Sequence, residues 1–124
     1  MSDIRKKGVA YLQKCLGYTP SLIAVSKFYV QEESWTGKDT WWFDLPIKKV
    51  KNNKKGIYYL LGKKRKRGFV ILKVPNKFLA DKLKKFEIRY QDRIRLNIDA
   101  EGANRFVDER GKGRVDFSRF ELTI

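Results

Sequence analysis

Five consecutive cations, Lys63-Lys64-Arg65-Lys66-Arg67, stand between Gly62 and Gly68, and the chemistry open to them is anion binding. They crown a wider run, because residues 48–85 hold fifteen Lys or Arg and one acid, Asp81. Fifteen cations less one acid give this stretch +14 of a chain whose formal net charge is +15. Charge so concentrated repels itself and calls for an anionic counterpart, most often a nucleic-acid backbone. Thirteen of the fifteen cations are lysines, which meet phosphate as point charges, whereas bidentate base reading favours arginine. Backbone-led binding with modest sequence discrimination is therefore expected. Its contacts would come from Lys48, Lys49, Lys51, Lys54 and Lys55, from Lys63, Lys64, Arg65, Lys66 and Arg67, and from Lys77, Lys84 and Lys85. Two plainer uses compete: lysine-rich turns protect sheet edges, and Lys-Lys-Arg-Lys-Arg also resembles a nuclear import signal.

A second basic loop, Arg110-Gly111-Lys112-Gly113-Arg114, alternates cations with glycine, a pattern that can form an anion-holding backbone nest. It lacks Gly-x-x-x-x-Gly-Lys-Ser/Thr and so does not match a phosphate-binding loop, which leaves nucleotide binding weakly supported, and an ordinary basic turn fits it equally. Trp42 and Trp35 fall on polar or loop positions near the basic region, where an exposed indole could stack on an unpaired base. The simpler expectation for Trp42 is cover by the N-terminal helix or another element.

Catalysis has few routes. The chain has no histidine, which removes imidazole acid–base chemistry, Ser-His and Cys-His pairs and His-based zinc sites. Cys15 is the one cysteine, so an internal disulfide and a thiolate metal cluster are excluded. What remains is chemistry on Lys or Tyr, or a carboxylate site with a divalent metal, for which Asp44, Glu32, Glu33 and Lys73 are the candidates. Salt bridges to nearby lysines explain those acids equally well.

At 124 residues, 42% of them hydrophobic and 14% aromatic, the chain suits one folded domain over 1–124 carrying its charge on a packed body. No apolar run approaches a membrane span, and the first residues lack the apolar stretch of a signal peptide. An intracellular location follows as an expectation, cytoplasmic or nucleoid, or nuclear in a eukaryote. Residues 3–16 read as a helix with Ser2 as N-cap, Ile4, Tyr11, Leu12, Cys15 and Leu16 inward, and Lys6, Lys7 and Lys14 on a solvated face. Strands are expected at 22–31 and 40–47, with Trp41, Phe43, Leu45 and Ile47 on one face and Trp42, Asp44 and Lys48 on the other. Pro46 should end the second or place it at an edge. Residues 49–56 read as a loop. Strands at 57–61 and 69–74 then form a hairpin that lifts the five-cation cluster to its tip. A helix over 76–86, capped by Asn76, turns Phe78, Leu79, Leu83 and Phe86 inward and Lys77, Lys84 and Lys85 outward. Strands at 93–99 and 115–122 complete an α+β fold with a mostly antiparallel sheet.

The run Trp41-Trp42-Phe43-Asp44-Leu45-Pro46, then Tyr58-Tyr59-Leu60-Leu61, then Phe69-Val70-Ile71-Leu72-Lys73-Val74-Pro75 and a helix, resembles restriction-endonuclease-like (PD-(D/E)XK) domains over about forty residues. The resemblance implies an Asp on one strand and Glu-x-Lys on the next, backed by helices. On that alignment Asp44 matches the Asp and Lys73 the Lys, with Ile71 at the Glu position. A second alignment sets the run after the active site and makes residues 28–34 the active strand, where Gln31-Glu32-Glu33 stands without the Lys. Both leave the motif incomplete, which a catalytically dead DNA-binding relative fits better than a nuclease. The leading expectation is thus a nucleic-acid-binding protein, with DNA the first choice of partner and no cofactor. Its rivals are a Mg²⁺-dependent nuclease and an interaction module for acidic proteins or anionic lipid.

Overall fold

The computed structural model describes residues 3–52, 55–64 and 68–123, so Ser2, Lys54, Arg65, Lys66 and Arg67 lie outside the described residues. Two four-stranded sheets carry the fold. The first has the order β1-β4-β5-β8, formed by β1 (Ile23–Ser26), β4 (Ile57–Gly62), β5 (Phe69–Val74) and β8 (Glu121–Leu122). β1 runs parallel to β4, and the other pairs are antiparallel. The second has the order β2-β3-β7-β6, all antiparallel, formed by β2 (Phe28–Tyr29), β3 (Thr40–Pro46), β7 (Arg93–Asp99) and β6 (Glu87–Arg89). This is an α+β fold with mostly antiparallel sheets, as its alternating strands and amphipathic first helix imply.

Burial follows the strand period. In β3, Trp41, Phe43 and Leu45 are buried while Trp42 is exposed, and they share one core with Ile94, Leu96 and Ile98 of β7 and Tyr59, Leu61, Leu72 and Val74 of the first sheet. β4 is buried at all six positions because its other face is covered too. There Tyr58, Leu60, Phe69 and Ile71 meet Leu12, with Ile4, Tyr11, Cys15 and Leu16 around it, from α1 (Asp3–Leu16). α1 therefore covers the first sheet and leaves the outer face of the second free of it.

The sheets meet along one bent segment. β1 and β2 are separated by Lys27 alone, so the expected strand over 22–31 changes sheets there instead of running straight. The Ser26 hydroxyl holds the bend, accepting the Trp42 amide at 2.9 Å and facing the Trp42 carbonyl at 3.0 Å. Trp41 Nε1 donates to the Gly62 carbonyl at 2.9 Å, tying β3 to the end of β4.

Three local expectations are corrected. Residues expected as a loop begin with a short helix, α2 (Ile47–Asn52), whose Ile47 and Val50 turn into the core. The expected helix over 76–86 is α3 (Asn76–Asp81) followed by a 3₁₀ turn at Leu83–Lys85. Asn76 does not cap α3; its Nδ2 donates to the Val50 carbonyl and so joins α3 to α2. The expected final strand is reduced to β8 at Glu121–Leu122 and an isolated bridge from Asp116 to Val107, because Phe117 is drawn fully into the core, 5.5 Å from the Tyr59 ring. Asp116 Oδ1 then accepts the Ser118 amide at 2.8 Å and starts the 3₁₀ turn Ser118–Phe120.

Candidate nucleic-acid interface

Cations from three distant parts of the chain line one groove. Lys7 of α1, Lys27 at the β1–β2 bend, and Lys63 and Lys64 at the base of the β4–β5 hairpin surround a space of about 710 Å³ floored by Ile4, Tyr11, Phe28 and Phe69. Among the described residues Lys7, Lys27 and Lys63 have no carboxylate within ion-pair distance, while Lys64 pairs with Asp39 at 3.2 Å and Glu101 at 3.9 Å. Partial burial pushes Asp39 up, but the Lys64 bond and the Gln31 amide outweigh it and hold its carboxyl below the usual value. Helical spacing alone places Lys7 on a solvated face, and nothing in its local sequence distinguishes Lys27. Only the packing of α1 against the hairpin joins them, and sequence spacing carries no sign of it.

From the groove a chain of cation–aromatic contacts crosses the outer face of the second sheet. Lys27 Nζ lies 4.8 Å from the Tyr29 ring centroid, and Tyr29 lies 6.0 Å from Trp42. The Trp42 indole then meets the guanidinium of Arg95 at 5.6 Å and that of Arg110 at 6.0 Å, and Arg110 meets Trp35 at 4.5 Å. Trp42 is 41% exposed and Trp35 67%, so the expected cover over Trp42 is not there. Carboxylates hold both guanidiniums in place. Arg95 Nε and Nη2 reach the two oxygens of Asp44 at 3.0 and 3.2 Å, and Arg110 Nη1 reaches Glu87 at 3.1 Å. The Asp44 bond raises Arg95 above its ordinary pKa. Burial pushes Glu87 up, yet Arg110 and Arg89 outweigh it and keep the carboxyl below its usual range.

No protein-family model, curated protein or solved structure matches this chain.

The other basic residues occupy separate places. Lys48, Lys49 and Lys51 lie exposed on α2, beyond the end of β3 opposite the hairpin, where the Ile47 amide donates to Asp92 in the β6–β7 turn at 2.8 Å. β3 has seven residues, so the hairpin base and α2 stand roughly 20 Å apart, at opposite ends of the aromatic face. Lys55 is exposed just before β4, and Lys77 on α3 pairs with Asp81 at 3.1 Å. Lys84 and Lys85 are exposed in the 3₁₀ turn that follows. Expected to converge, the basic segment is instead divided between the two ends of the β4–β5 ribbon.

The second basic loop does hold an anion, but it is the protein's own. Asp108 accepts the amides of Asn97 at 3.0 Å, Arg110 at 3.2 Å and Gly111 at 3.1 Å. Burial pushes its carboxyl up, against those three donors. Arg114 forms a bidentate pair with Glu109 at 3.0 Å for each bond, and Lys112 is exposed. Beside this loop Asp99 is 1% exposed, and burial followed by its contact with Glu109 pushes its carboxyl up to about 7, with Lys38 at 3.7 Å opposing.

The candidate catalytic set is dispersed. Asp44 is on β3 of the second sheet and engaged by Arg95; Lys73 is on β5 of the first, 5.7 Å from the Tyr58 ring. Glu32 and Glu33 lie exposed in the turn after β2. Among the described residues no three carboxylates or thiols gather in a way that could hold a metal ion.

Proposed function

We propose that this protein binds nucleic acid, DNA in the first instance, by its phosphate backbone. The observation that carries this is the groove where Lys7, Lys27, Lys63 and Lys64 come together at the root of the five-cation hairpin. Like charges drawn from three elements repel one another across a shared cleft, an arrangement that an anionic ligand relieves. Lys48, Lys49 and Lys51 on α2, none with a described carboxylate within ion-pair distance, supply a second contact beyond the far end of β3. Lysine predominates, so affinity rests on charge more than on base identity. Asp44 serves this reading by fixing Arg95.

Fluorescence anisotropy against labelled DNA, from about 50 to 200 mM salt, tests it. With about five phosphates neutralised, log K falls against log[salt] with a slope near −4 to −5 on duplex. Replacing Lys7, Lys27 and Lys63 together by alanine removes up to about three units of that slope. An affinity indifferent to salt, or a triple variant that binds like the parent, overturns the proposal.

A further inference from the structure

Resting on that reading, we infer that the ligand is single-stranded and that its unpaired bases stack on Trp42, Trp35 and Tyr90 along the outer face of the second sheet. These side chains are 41%, 67% and 77% exposed, and α1 covers the other sheet. Water-facing indoles cost hydrophobic free energy unless a ligand covers them, and the π face of an indole stacks on any base. Duplex DNA keeps its base faces hidden in the helix, so only an unpaired strand presents them. Two guanidiniums approach Trp42, 5.6 and 6.0 Å from its ring, each bonded to a carboxylate, Asp44 or Glu87. Both guanidiniums are therefore positioned beside the ring before any ligand arrives, each with its charge offset by a carboxylate. Tyr90 stands in the β6–β7 turn in a left-handed conformation, φ 55°, and Gln91 follows at 63°. For non-glycine residues that geometry is strained, and such strain gathers where a side chain must be presented. Lysines flank the platform at both ends: the groove beyond Tyr29, and α2 beyond the β6–β7 turn. A strand of a few nucleotides spans that distance, with phosphates at the lysines and bases on the rings.

The test uses the whole protein, an oligothymidylate of about a dozen nucleotides, a duplex of equal length, and heparin. Oligothymidylate should quench tryptophan emission and bind more tightly than the duplex. W42A and W35A should each weaken oligothymidylate binding roughly five- to a hundredfold while moving heparin binding by less than about twofold. W42F, which keeps a ring, should retain most of the affinity. Photocrosslinking of the unaltered protein to an iodouracil-substituted strand should label the peptides that contain Trp42 or Trp35, a readout independent of how the variants fold. If the parent binds oligothymidylate, duplex and heparin alike and the tryptophan variants behave as the parent does, the stacking inference falls while backbone binding stands. Should the parent bind none of the three, both fall together.

Discussion

Replacing Asp99 by asparagine should remove a pH dependence of stability that burial builds into β7. In the folded chain the Asp99 carboxyl is pushed up to about 7, first by burial and then by Glu109, and its Oδ1 has no hydrogen-bond partner among the described residues. Unfolded, the same group titrates near its ordinary value of 3.8. Between those values the native state holds a proton that the unfolded chain has released. Stability from this group is thus greatest at the acid end and declines as the pH rises to 7. At about 1.4 kcal/mol per pH unit, discounted for the opposing Lys38 and for solvent screening, the decline is worth roughly 2–4 kcal/mol. Asp108, also pushed up by burial, adds a contribution of the same sign. Asp39 and Glu87 act in the opposite sense: both sit below their ordinary values, so their contribution is present above the unfolded pKa and lost as the pH falls below about 4. The parent should therefore be most stable near about pH 5. Urea unfolding followed by tryptophan emission, in steps from about pH 5 to 8, reads the effect. D99N, equal in shape and uncharged, should lose more than half of the parent's decline and exceed the parent in stability at the alkaline end. Parallel profiles for the two proteins would refute the reasoning.

Two further outcomes concern backbone geometry. A Cβ at Gly111 would stand 2.3 Å from the Lys85 carbonyl and 2.9 Å from Phe86 Cα, so G111A should lower stability by about 2 kcal/mol or more in chemical denaturation. Because the same loop presents Arg110 to Trp35 and Trp42, oligothymidylate affinity should drop with it. Gln91 is left-handed in the β6–β7 turn, where glycine is at ease, so Q91G should raise stability by roughly 1 kcal/mol without touching Tyr90 or its stacking. An unchanged or lowered unfolding midpoint would count against strain at that turn.

Much of the framework was legible because its physics is local. Alternation at 40–46 announced a strand with one wet face, and the largely apolar runs at 57–61 and 69–74 announced the two strands of a hairpin. α2 was hidden: only Ile47 and Val50 mark its inward side, among lysines that also suit a loop. The end of α3 and the expected final strand yielded to tertiary pull. Gly113 donates to the Lys85 carbonyl at 3.2 Å across the shortened helix, and Phe117 fills the core where a strand was expected. For the candidate interface, the sequence displayed the cations and the two displaced tryptophans but not their grouping. Lys7, Lys27 and Lys63 are joined only by packing, and Arg110 reaches Trp42 from far along the chain. The nest at 110–114 was readable as a shape; that Asp108 fills it was not, because a buried acid leaves the same letter as an exposed one.

The bend at Ser26 has a mechanical consequence. A single segment belongs to both sheets, and one hydroxyl clasps it to Trp42, so the groove beside Lys27 and the indole next to it cannot drift apart without breaking the clasp. Their separation is set once, when the chain folds. A ligand that touches both pays little entropy to align them, and loosening the clasp by S26A should slacken the two handholds as a unit.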